Sequence, residues 1–161
     1  MYRSVLVCAL LVLFLAACGS GVPPEASSSL QKVASALQSK DKAAIAAVVV
    51  PGQRKGAIGV PAGIGITGTD KKVSEFTLDD LLSVEFFATV KAVKPNSDLQ
   101  EMDDDKTARL GVDFEYGEGM SAVRSLILKK EGDSWLLDMK ATLEWWEKMN
   151  GSSALAAVGA K

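Results

Sequence analysis

The chain has 161 residues, 48% hydrophobic and 24% charged, enough for one domain that buries roughly two thirds of its unfolded surface. A net charge of −2, with both signs interspersed and no basic block, offers no track for a nucleic-acid backbone, and nucleic acid is not an expected partner. Histidine is absent, which removes the usual proton shuttle near neutral pH and the commonest transition-metal ligand.

Behind Arg3, residues Val5 to Leu15 form an unbroken apolar run, well short of the roughly 20 residues a membrane span needs. The small residues Ala16-Ala17 follow, then Cys18, and this order of charge, apolar stretch and small residues is that of a secretory signal. Leu15-Ala16-Ala17-Cys18 closely resembles the lipobox of bacterial lipoproteins, in which a peptidase cuts before a cysteine whose thiol carries a diacylglyceryl group. The resemblance implies a signal peptide over 1–17, lipidation of Cys18, and a membrane-anchored protein of the bacterial envelope. Gly19 is not the aspartate that retains such proteins at the inner membrane of two-membrane bacteria, which implies an outer-membrane anchor facing the periplasm. Cys8 falls inside the signal, so the processed chain has no disulfide.

Residues 18–28 are small or polar around Pro23-Pro24 and read as a tether. Ser29 is placed to cap a helix with Leu30, Val33, Ala34 and Leu37 on one face, and Asp41 to cap a second carrying Ala44, Ile45 and Val48. Pro51-Gly52 stops that helix, and 53–72 has no helical period. Thr77 and Asp80 have the spacing of a capping box and open a short helix through Leu78, Leu81 and Leu82.

From here the period turns to alternation. Phe86 to Val93 is rich in strand formers, Pro95-Asn96-Ser97-Asp98 is a turn cluster, and Asp103-Asp104-Asp105-Lys106 is another turn. In Thr107 to Tyr116, Leu110, Val112, Phe114 and Tyr116 share one face with Asp113 and Glu115 opposite. Gly117-Glu118-Gly119 and Glu131 to Ser134 join Ala122 to Lys130 and Trp135 to Met139 into a meander. Helices and strands are segregated, so 29–150 is expected to form one α+β domain, N-terminal helices on a curved antiparallel sheet, with 151–161 a flexible tail.

Leu37-Gln38-Ser39-Lys40-Asp41 together with Leu126 to Trp135 resembles the first helices and last hairpin of nuclear-transport-factor-2-like domains, over residues 29 to 142. The resemblance implies a cone with helices in the concave side of the sheet; a cystatin-like packing is the alternative. Enzymes of this kind place an acid/base residue beside a tyrosine or histidine inside the cone. Here alternation turns Asp113 and Glu115 away from Tyr116, which leaves general acid/base chemistry without a seat.

Gly63 to Gly68 fits G-x-G-x-x-G but lacks the strand-turn-helix setting of a phosphate loop, so no cofactor is expected. Ile58, Val60, Ile64 and Ile66 share one parity, as in an extended segment lying on an apolar surface, their own domain or a partner. Trp145-Trp146 cannot both sink into one core, so one of them is expected at the surface. Glu101 and Asp103 to Asp105 lack the spacing of a calcium loop, and no metal site is expected.

These readings converge on a non-enzymatic lipoprotein binding an apolar ligand or an envelope protein through Ile58, Val60, Ile64, Ile66, Tyr116, Trp145 and Trp146. An assembly accessory with a solid core is the second reading, and an isomerase or hydrolase a minor third. Substituting Cys18→Ala is expected to leave an unprocessed precursor that takes up no labelled fatty acid. Normal cleavage of the variant would refute the anchor.

Overall fold

The structure, a computed structural model, describes residues 21–59, 75–151 and 155. Helix α1 (Pro24–Ser39) begins at Pro24, not after Ser29, because a proline already holds the φ that a first helical position needs. Residues 24–28, read as tether, are therefore helical, with Ala26 buried beside Leu30. Lys40 closes α1 in the left-handed conformation at φ 56°. Asp41 then caps α2 (Lys42–Val48) as expected, accepting from the Ala43 and Ala44 amides at 2.8 and 3.3 Å. Both halves of the Thr77–Asp80 capping box form at the start of α3 (Leu78–Ser83).

The strand expected over Phe86 to Val93 is overturned except at its last two residues. Glu85–Ala88 is a single helical turn, α4, through which Phe86 and Phe87 both enter the core. Burial of two adjacent rings outweighs their strand propensity, since a strand would have sent them to opposite faces. The sheet begins only with β1 (Ala92–Asp104), followed by β2 (Thr107–Glu115), β3 (Ser121–Glu131) and β4 (Ser134–Leu137), antiparallel neighbours in that order.

Pro95 to Asp98 is likewise not a turn but lies within β1. The pairing to β2 jumps from Asn96↔Gly111 to Gln100↔Leu110, so Ser97, Asp98 and Leu99 form a bulge. Proline is tolerated because β1 is an edge strand. Gly111 permits the bulge: a Cβ there would meet the Leu99 Cβ at 2.5 Å.

On β2 the alternation holds, with Leu110, Val112 and Phe114 fully buried and Asp113 and Glu115 on the other face. Trp135 and Leu137 join them in the core, and α1 packs on β1, β2 and β4. The chain is thus α+β. Met139, expected to end the meander, instead starts α5 (Met139–Asn150), capped by the Asp138 carboxylate, which accepts from the Ala141 amide at 3.0 Å. Met139, Thr142, Leu143 and Trp146 form its buried face at three- and four-residue steps.

This helix closes a sheet edge. Because β4 pairs only with Leu128 to Glu131, the rest of β3 would present bare backbone groups on that side. The Asp138 amide donates to the Ile127 carbonyl at 2.9 Å, the Ile127 amide donates to the Thr142 hydroxyl at 2.9 Å, and Trp146 Nε1–H donates to the Ser125 carbonyl at 2.6 Å.

Trimming Phe114, fully buried against Phe86, Phe87 and Trp146, to alanine is expected to cost about 3–5 kcal/mol in denaturant unfolding. Glu115→Ala on the opposite face loses only an exposed ion pair with Lys94 and is expected to cost less than about 1 kcal/mol. Equal losses would refute the facing of β2.

Candidate functional site

The face of the sheet on which the helices pack is filled rather than open. Phe86 is its hub, with ring centroids of Phe87, Phe114, Tyr116 and Trp146 between 5.1 and 5.8 Å away. Trp146 is 1% exposed and Tyr116 and Ile58 are buried, so these three of the expected binding residues belong to the core. Replacing Trp146 with a polar residue would therefore sacrifice packing and a hydrogen bond. Ile58 packs on its own domain, its amide donating to the Phe76 carbonyl at 2.7 Å. Val60, Ile64 and Ile66 lie outside the described residues.

Among the described residues, two polar atoms beside this aromatic cluster, Tyr116 Oη and Arg124 Nε, are buried without a hydrogen-bond partner. The Tyr116 hydroxyl is buried and makes no hydrogen bond, and burial pushes its pKa well above the tyrosine range against the pull of the Arg124 charge. Arg124 stands over the Phe86 ring at 5.8 Å, and burial lowers its own pKa. Among the described residues no carboxylate hydrogen-bonds the tyrosine: Asp113 accepts from Asn96 Nδ2 at 3.0 Å and Glu115 from Lys94 Nζ at 2.6 Å, both on the outer face.

The adjacent tryptophan has the opposite fate. Trp145 is half-buried outside the core, with the Arg109 guanidinium 4.0 Å from its ring centroid. Arg109 Nη2 in turn donates to Glu101 at 2.7 Å and Asp103 at 2.8 Å. The Lys106 amide donates to Asp104 at 2.7 Å, holding that carboxyl below its usual value. The acidic run therefore serves a cation bridge and a turn.

Between the β1 bulge, the outer edge of β3 and the last turns of α5 lies an open groove of about 500 Å³. Leu99, Val123 and Met149, which are 44%, 47% and 60% exposed, all line it, beside Trp145, Arg109 and Arg124. They are the large hydrophobic side chains that stand exposed among the described residues. Trp145 was singled out in the sequence; the other three apolar residues and the two arginines were not. The one local sign was Gly111 inside a strand, which marks the close approach of the Leu99 bulge.

The chain matches no family model, no curated protein and no solved structure.

Tyr116→Phe is expected to stabilise the domain by about 1 kcal/mol at neutral pH, because a buried hydroxyl without a partner is removed. The sign with pH is fixed by the raised folded pKa: the unfolded phenol ionises first, so the parent loses stability as pH rises through the ordinary tyrosine value of about 10. Denaturant unfolding at neutral and alkaline pH should show a smaller loss in Tyr116→Phe than in the parent.

Proposed function

We propose that this is a non-enzymatic lipoprotein of the bacterial envelope, anchored through acyl chains on Cys18, whose domain holds an apolar ligand or partner protein in the groove between β1, β3 and α5. The observation that carries the reading is the gathering of Leu99, Val123 and Met149 on one concave surface rather than scattered over the molecule. The groove volume of about 500 Å³ is in the range of small-molecule sites. A nuclear-transport-factor-2-like cone is the finer fold we favour. Helices packed on a four-stranded meander, and a parallel bridge from Val49 to Leu137 tying the end of α2 to β4, support it. No helix among the described residues is long and apolar enough to cross a membrane, and the anchor we propose is the lipid.

The aromatic filling of the helix-packed face favours one second reading, an assembly accessory with a solid core that docks a protein on the outer surface. Native mass spectrometry of the full-length protein recovered from its own envelope separates the two, by a small mass adduct or a protein partner. Val123→Ser combined with Met149→Ser is expected to abolish either association. Both side chains are exposed, so stability should change by less than about 0.5 kcal/mol per site. Retention of the bound species by the double variant would refute the groove.

A further inference from the structure

An asparagine followed by a glycine is a chemically reactive pair, and the chain contains it once, at Asn150-Gly151. The backbone nitrogen of the following residue can close a five-membered ring on the asparagine carboxamide carbon, and a glycine, with no Cβ, leaves that approach unhindered. Gly151 also stands in open space, since a Cβ there would meet nothing within 4 Å. Asn150 is the exposed last residue of α5, in the lining of the groove. The other asparagine, Asn96, is held at both ends of its carboxamide. Its Nδ2 donates to Asp113 at 3.0 Å, its Oδ1 accepts from the Asp98 amide at 3.0 Å, and a serine follows it within β1.

Two hydrogen bonds guard Asn150-Gly151 while the helix end is closed. Asn150 Nδ2 donates to the Trp146 carbonyl at 3.2 Å, and the Gly151 amide donates to the Glu147 carbonyl. Helical backbone at Asn150 keeps the two reacting atoms out of line, so the reaction draws on the fraction of time for which the last turn is open. Helix ends are where such openings cost least.

We propose that Asn150 is a site of spontaneous deamidation whose product unlocks the end of α5. In the open turn the Gly151 nitrogen bonds to Asn150 Cγ, the Cγ–Nδ2 bond breaks, and Nδ2 leaves as ammonia with the Gly151 amide proton. Water then opens the cyclic imide. Cleavage at Cγ gives aspartate, and cleavage at the backbone carbonyl carbon of residue 150 gives isoaspartate, with the chain running through Cγ. Either product sets a carboxylate where a donor faced the Trp146 carbonyl, and adds negative charge at the negative pole of the helix. Repulsion replaces a hydrogen bond, and the turn that carries Met149 into the groove lining loosens. The chemistry does not depend on what the groove binds.

The test is to incubate the full-length protein at mildly alkaline pH beside a free peptide of residues 146–155, following aspartate and isoaspartate at position 150 by peptide mapping. Conversion in the protein is expected to run roughly ten- to thirtyfold slower than in the peptide, because two hydrogen bonds of ordinary net strength must both open. Subdenaturing urea should bring it toward the peptide rate, and Asn150→Gln, which would need a six-membered ring, should abolish it. Asn96 should stay intact. Asn150→Asp, which reproduces one product, should melt a few degrees below the parent at neutral pH. An Asn150 that stays intact while the peptide converts completely, in water and in urea alike, would overturn the site. Conversion as fast as in the peptide, or an Asn150→Asp variant that melts like the parent, would overturn its coupling to the helix end.

Discussion

The open edge of β3 is the constraint around which this domain is built. A four-residue β4 leaves the first part of β3 without a neighbouring strand, and exposed ladder groups invite pairing with other chains. The chain answers by turning into a helix at Asp138 and laying it along the edge. Thr142, the buried polar residue of the described core, stands at the middle of that seam, accepting from the Ile127 amide while donating to the Asp138 carbonyl at 2.8 Å. Trp146 joins the seam to the core, since one end of its indole satisfies Ser125 and the other stacks on Phe87 at an interplanar angle of 19°.

The groove is a by-product of the same arrangement. A helix lying beside an edge, rather than flat on a face, keeps one flank in the core and leaves the next flank over the outside of the sheet. Trp146 is on the first flank and Trp145 on the second. Arg109, from the outer face of β2, holds Trp145 there. The bulge of β1 then supplies the opposite wall, because Gly111 lets Leu99 settle over β2.

Much of the fold was legible because it is written in local chemistry. Asp41 and the Thr77–Asp80 pair fixed two helix starts, and the alternation from Leu110 to Phe114 fixed the inward face of β2. Misreadings arose where tertiary burial overrode a local sign. Phe86 and Phe87 look like strand residues but enter the core from one helical turn, and Pro95 to Asp98 looks like a turn but is a bulge on an edge strand. In α5 the buried positions overlap the end of a strand alternation, so Met139 suited both periods and only the Asp138 cap distinguished them. The groove was the least legible part. Leu99, Val123 and Met149 come from three elements far apart in sequence, and each is unremarkable until the sheet register and the edge helix bring them together.

The early start of α1 at Pro24 also sets how far the domain can stray. With the lipid proposed on Cys18, only Gly19 to Pro23 separate anchor from helix, a leash reaching about 20 Å when fully extended. Ser27 near the start of α1 donates to Gln100 at 3.5 Å, while Gln38 near its end accepts from the Val93 amide at 3.3 Å, so α1 runs opposite to β1. Under the proposed anchor, the end of the domain that carries the β1–β2 turn is the one nearest the lipid, and the Tyr116 and Arg124 end is the far one. A body held on so short a leash would, under that proposal, keep to a thin layer along one membrane, meeting what comes out of that surface or presses close to it rather than travelling freely.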